Sequence, residues 1–120
     1  MILLQTLERL KKRSEFLAVS KTEKRWVTPA FVIQVYQRAS EGPFRYGITA
    51  SRKVGGAVER NRAKRRLRVL IKNILPALGQ SGVDYVFIAR QEILKRDFAV
   101  MEEELSRGMI MLNKGMQEII

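Results

Sequence analysis

The apolar positions of this chain change period several times, and each change marks an element. Residues 6–20, "TLERLKKRSEFLAVS", place Leu7, Leu10, Phe16 (or Leu17) and Val19 at near-helical spacing with charges between, which predicts a short helix. Residues 26–37, "WVTPAFVIQVYQ", are β-branched and aromatic, with Phe31, Ile33 and Val35 alternating against Val32, Gln34 and Tyr36. That is a strand, and Pro29 breaks or begins it. The stretch 39–44 reads as a turn and 45–51, "RYGITAS", as the antiparallel return. Gly55-Gly56 marks a second turn. From about Ala57 the apolar positions Ala63, Leu67, Leu70, Ile71, Ile74 and Leu78 follow one helical face; Pro76 kinks the last turn and Gly79 or Gly82 ends it. Residues 84–90, "DYVFIAR", have the unbroken apolar character of a central strand buried on both faces. Phe98, Met101, Leu105, Met109 and Leu112 mark a closing amphipathic helix. The predicted order is helix, strand, strand, helix, strand, helix: a small α+β sandwich.

Bulk properties narrow the class. The 120 residues predict one domain, 1–120, with a single modest core, and 46% hydrophobic content is too high for a disordered tail. No apolar run approaches the roughly 20 residues that span a bilayer. Only Met1 to Leu4 are continuously apolar at the N-terminus, and they precede the charges, the reverse of a signal peptide. A cytoplasmic location is expected. With no cysteine, disulfides and thiolate zinc sites are excluded.

The formal charge is +11, and "RNRAKRRLR" at 60–68 concentrates six basic residues in nine. Self-repulsion on this scale opposes compaction and points to a polyanion. A membrane reader sets its cations opposite exposed Trp, Phe or Leu, and the one Trp, Trp26, is remote from the cluster. Projected at about 100° per residue, the apolar set of 57–78 occupies one side. Asn61, Arg62, Arg65, Arg68 and Lys72 fall together on the other, with Lys64 and Arg66 flanking and Arg60 nearer the buried edge. A solvated basic face would carry acidic partners one turn away, yet only Glu59 falls in this segment. Arginine predominates, and its planar donor fork matches phosphate oxygens. Nucleic acid is the expected partner, not a membrane. A leucine zipper would need heptads beyond Gly79, and no second helix stands at helix-turn-helix spacing, so DNA reading is not expected.

The chain has few groups for chemistry. It lacks His and Cys, and its 12 acidic residues are scattered. Glu102, Glu103 and Glu104 diverge by about 100° each on a helix and read as a solvated face. Ser51 and Lys53 are a remote candidate nucleophile and base. Charge alone leaves open an assisting subunit, a structural RNA-binding protein of ribosomal type, and a protein-only nuclease.

The segment "RYGITASRKVGGAVERNRAKRRLRVLI" separates these alternatives, because it closely resembles the protein subunit of bacterial ribonuclease P. The Arg60-Asn61-Arg62 motif opens a central helix and continues through Lys64, Arg65 and Arg68. The likeness extends to Gly47, Ser51, Arg52, Lys53, Gly55, Ala57 and Val58, and to "LKKRSEF", "FVIQVY" and "DYVFIAR", over about residues 9–105. It implies an α-β-β-β-α-β-α fold on a mixed sheet, one strand more than periodicity gives, with a left-handed crossover. The extra strand would come from splitting at Pro29.

The resemblance also implies a ribonucleoprotein endoribonuclease for tRNA 5′ maturation, in which the RNA is the catalyst and the protein alone is inactive. Its partners would be the catalytic RNA and the single-stranded 5′ leader of precursor tRNA. Mg²⁺ would be held mainly by RNA, with none bound by the protein alone. Arg60, Asn61, Arg62, Lys64, Arg65 and Arg68 would face the catalytic RNA; Phe16, Arg52, Lys53 and Arg90 match the leader side, in a cleft between the first helix and the sheet. Phe16 serves equally well as core or as stacking platform, and either Phe31 or Val32 lines the open sheet face. Two positions depart from many relatives, which carry aromatics where this chain has Ser20 and Gln34. Gly56 stands where Asn is frequent, a change that suits a turn.

Overall fold

The computed structural model describes residues 7–117. Its elements are β1 (Glu8–Arg9), α1 (Arg13–Ser20), β2 (Arg25–Val27), β3 (Phe31–Gln37), β4 (Arg45–Thr49), α2 (Ala57–Leu78), β5 (Val83–Ala89), a 3₁₀ turn (Gln91–Leu94) and α3 (Phe98–Gln117). The five strands form one mixed sheet in the order β1-β4-β5-β3-β2. The α+β sandwich expected from the sequence is present, with the strand split at Pro29. Thr28 closes that split: its backbone N–H and its Oγ1 both donate to the Phe31 carbonyl, at 2.9 and 2.8 Å.

Two local expectations are corrected. The predicted helix over 6–20 starts only at Arg13, while residue 6 and the apolar Met1–Leu4 run lie outside the described residues. Leu7 and Leu10 share a helical face in projection, but the chain here is extended. Leu7 packs on the larger core and Leu10 in a separate cluster. The Leu10 N–H donates to the Tyr46 carbonyl, continuing the parallel β1–β4 pairing, and the Glu15 carboxylate receives the Lys11 and Lys12 N–H groups, both at 2.8 Å, fixing the helix start.

The second correction concerns β4, which is not an antiparallel return on β3. β5 lies between them, antiparallel to β3 and parallel to β4. The reason is visible in β5: a strand buried on both faces needs a neighbour on each edge, and β3 and β4 supply them. A parallel β4–β5 pair requires a crossover, which α2 provides.

The strands divide their side chains cleanly. Phe31, Ile33, Val35, Tyr46, Tyr85 and Phe87 point to the face covered by α2 and α3, where Ala63, Leu67, Leu70, Ile71, Met101, Leu105 and Met109 complete the main core. Tyr85 anchors its far end. Its hydroxyl donates to Asn113 Oδ1 and accepts the Gln80 N–H, both at 3.0 Å, and Asn113 Nδ2 donates to the Leu78 carbonyl at 2.8 Å. Burial pushes the Tyr85 phenol up to about 12. The opposite face carries Val32, Gln34, Tyr36, Val86, Ile88, Gly47 and Thr49, and α1 covers only part of it, over the small cluster Leu10, Val19 and Val86.

Candidate nucleic-acid interface

The first surface is the outer side of α2. Asn61, Arg62, Arg65, Arg68 and Lys72 are exposed, as the projection placed them, and Arg60 and Lys64 are half-buried. Gly55, at φ +147°, makes the turn into the helix, a conformation side-chain-bearing residues rarely adopt. Among the described residues, none of Arg60, Arg62, Lys64, Arg65, Arg68 or Lys72 forms an ion pair. By contrast, Arg38, Arg45, Arg96 and Arg107 all do. The outer side of α2 thus gathers exposed and half-buried cations without acidic partners on one helix.

Arg66 is the exception on this helix. Its guanidinium lies 4.3 Å from the centroid of Phe98 and donates to the Arg96 carbonyl at 2.5 Å. Burial, aided by neighbouring Arg62, lowers its pKa. Arg66 therefore secures α2 to the start of α3 rather than joining the open face. Part of the acidic run is structural too: Glu104 accepts both 2.8 Å bonds of a bidentate pair from Arg96, while exposed Glu103 meets Arg107.

The second surface is a groove between α1 and the uncovered part of the sheet. Arg13, Phe16, Leu17 and Ser20, one side of α1, form its wall, and Gln34, Thr49, Val86 and Ile88 form its floor around a cavity of about 270 Å³. Phe16 is half-buried and does both jobs the sequence left open. It packs on the Leu10–Val19–Val86 cluster and also lines the groove. Its ring reaches this depth because residue 47 is glycine: a Cβ there would stand 2.6 Å from Phe16 Cζ. Phe31 is fully buried in the main core, so Val32 takes the open face.

Because β4 and β5 run parallel, the segments that follow them leave the sheet at the same end. Arg52 and Lys53, after β4, and Arg90, after β5, are all exposed there, and α2 begins there with Arg60–Arg62. Arg90 Nη1 donates to the Thr28 carbonyl at 2.9 Å. Ser51 Oγ accepts the Lys53 N–H at 3.3 Å, a turn contact rather than a catalytic pair.

No sequence pattern hints at what holds α1 in place. Arg45 bridges Asp84 (2.8 and 2.7 Å) and Glu15 (2.5 Å), and Arg38 joins the same Asp84 at 2.9 Å. Hydrogen bonding to Asp84 raises the Arg45 pKa. The Lys12 and Lys11 N–H groups, with Arg45, bring Glu15 down to about 2 against the opposing effect of burial. These residues lie far apart in sequence, so no spacing could reveal them.

Among the described residues, no group of three or more His, Cys, Asp or Glu is placed to hold a metal ion, and no helix is long and apolar enough to cross a membrane. Fold and surfaces together define a basic α+β nucleic-acid-binding protein. The comparisons with known proteins give its family. The family model described as Ribonuclease P matches residues 4–113. A Paramagnetospirillum magneticum ribonuclease P protein component is 39% identical over 103 residues, 82% of this chain and 77% of that one. Two solved structures share the fold. The Staphylococcus aureus RNase P protein has a TM-score of 0.69 at 27% identity, over 86% of this chain and 93% of that one. The Thermotoga maritima RNase P protein has 0.67 at 31%, over 82% and 91%.

The chain belongs to the ribonuclease P protein family. It is a non-catalytic subunit of a ribonucleoprotein and assists RNA-catalysed removal of the 5′ leader from precursor tRNA. Association with the catalytic RNA and with precursor tRNA follows from that membership.

Proposed function

We propose that the two surfaces divide the RNA between them. The open face of α2 engages the catalytic RNA, with Arg60, Asn61, Arg62, Lys64, Arg65 and Arg68 directed at its backbone. The groove takes the single-stranded leader: Arg52, Lys53 and Arg90 attract its phosphates while Phe16 offers a face to a base, an interaction worth about 1–3 kcal/mol. The observation that supports this reading is the clustering of Arg62, Arg65, Arg68 and Lys72 on one exposed helix face, with no acidic partner among the described residues.

Among the described residues no cluster fits a metal centre, and we assign Mg²⁺ to RNA phosphates. The protein contributes positive field, which lowers the repulsion between catalytic RNA, leader and tRNA at limiting Mg²⁺. A cytoplasmic site of action follows from that role.

The test is cleavage of a precursor tRNA by the cognate catalytic RNA at low Mg²⁺, with and without protein, beside an Arg62→Ala/Arg65→Ala variant and an RNA-free lane. Accurate 5′ cleavage restored by the wild type, weakly by the variant and not by protein alone is the expected pattern. Unchanged cleavage on adding protein would favour a purely structural RNA-binding role, and cutting in the RNA-free lane a protein nuclease.

A further inference from the structure

The inner side of α3 enters the main core through Met101, Leu105, Met109 and Leu112. Its outer side is not the polar surface that a solvated helix face ordinarily shows. Val100, Ile110 and Met111 are 42%, 54% and 47% exposed there. Between them lie Glu103 and Arg107, joined at 3.2 Å, with side chains 72% and 68% exposed. Val100, Glu103, Arg107, Ile110 and Lys114 are all exposed and succeed one another at steps of three, four, three and four residues. That is the spacing of a coiled-coil seam, and no element of this chain covers it. A dent flanks each end of the seam. One, of about 260 Å³, lies beside Val100 and is walled by Trp26 and Pro29; the other, of about 500 Å³, lies beside Ile110 and is walled by Leu78 and Gln80.

We propose that the outer face of α3 is a self-association surface, on which two copies of this chain pair through antiparallel α3 helices about a twofold axis level with Leu105. The first four seam positions are spaced symmetrically about that residue. An antiparallel second helix therefore sets Val100 against Ile110 of the other copy, Ala99 against Met111, and Glu103 against Arg107. Acid meets base and apolar meets apolar at each of these levels, as an isologous interface requires. Lys114 comes level with Arg96 of the other copy, whose charge is already met by its bidentate pair with Glu104. An isolated pair such as Glu103–Arg107 contributes little on a solvated helix. In the middle of an apolar seam the same two residues fix register and orientation. Nucleic acid is a poor occupant for this face, because the acids of the chain gather near it: Glu92, Asp97, Glu102, Glu103 and Glu104 fall within residues 92–104. A single helix face makes a small interface, so the association is weak and reversible. The +11 charge of each copy opposes it, and bound anions or RNA relieve that repulsion.

The experiment is sedimentation equilibrium of the full chain in sulfate buffer, from low to high micromolar protein. It compares wild type, Glu103→Arg, Arg107→Glu and an equimolar mixture of the two variants. Wild type should show a monomer–dimer equilibrium. Each variant alone sets like charges against each other across the axis, so its dimer should dissociate at least about tenfold more readily. Mixing restores opposite charges at both crossings, and a heterodimer of about wild-type affinity should form. Ile110→Ser leaves the charges in place and should weaken the dimer as well. All three substitutions are at exposed positions, and melting curves should stay close to that of wild type. A wild type that remains monomeric throughout overturns the proposal. So does a dimer that tolerates the charge variants or Ile110→Ser, which would place the contact elsewhere on the surface. Variants that dissociate but are not rescued by mixing overturn it too, because only the antiparallel register pairs residue 103 of one copy with residue 107 of the other.

Discussion

The two faces of the sheet are built to different standards. Beneath α2 and α3, Phe31, Ile33, Tyr85 and Phe87 are fully enclosed, and the buried Asn113 is bonded to Tyr85 and Leu78. On the other face only Leu10, Val19 and Val86 are buried among the hydrophobic residues. Phe16 and Ile88 stay half-exposed, and Gln34 lines the groove floor. One face is closed from solvent by two helices; the other is only partly covered by α1. Under the proposed function, stability and recognition are separated by the two-residue alternation of the same strands.

Adjacent residues of β5 offer the largest contrast. Phe87→Ala empties the closed face and should cost about 3–5 kcal/mol, enough to unfold much of the population in a urea titration. Ile88→Ala, one residue on, removes a half-exposed side chain from the groove floor and should cost about 1 kcal/mol while weakening leader binding. Equal losses from both would erase the distinction between the faces. Gly47→Ala probes the seat of Phe16 directly. The new Cβ meets the ring, so we expect about 1–3 kcal/mol of destabilisation together with reduced affinity for leader-bearing substrate. Leaderless substrate should be bound as before.

The α2 surface should respond in the opposite way. Arg62→Ala/Arg65→Ala removes exposed cations with no acidic partner among the described residues, so the melting temperature should hold or rise. Affinity for the catalytic RNA should fall, and the slope of log K against log salt should shrink by about one for each phosphate no longer neutralised. Phosphate or sulfate should raise the wild-type melting midpoint, because a +11 chain gains from bound anions, and raise that of the double variant less.

Much of this was legible in the sequence, for reasons that also define its limits. The start of α2 was readable because apolar spacing and the Gly55-Gly56 turn agree, while its end was left between Gly79 and Gly82 and falls at Leu78, capped by Gly79; its open face followed from helical projection. The alternation in β3 separated two faces without saying which is closed, and the unbroken run in β5 marked a strand buried on both. Strand neighbours were not. Nothing local to 39–51 says that β5 will insert between β3 and β4, since that pairing depends on residues some forty positions later. The start of α1 was misplaced because Leu7 and Leu10 fit a helical period but are used in an extended segment. The open groove was visible only in part: Phe16 stood out, while Gln34 drew notice as a departure rather than as a floor residue.

The smallest expected effect concerns how α1 is held over the open face. Glu15 caps the helix and pairs with Arg45, and its carboxyl sits at about 2 against an ordinary 4.5. A folded-state value below the unfolded one means its stabilising contribution is complete above about pH 4.5. That contribution is lost as pH falls towards 2. Glu15→Gln cannot titrate, so the difference in stability between wild type and variant should be constant above about pH 5 and shrink through that window. Because the cap lies at the helix end and not in the main core, the wild type should lose protection of α1 amides from hydrogen exchange before those of β5. Simultaneous loss in α1 and β5 would mean that the two faces melt as one unit, and the difference between them would then be one of burial only, not of cooperativity.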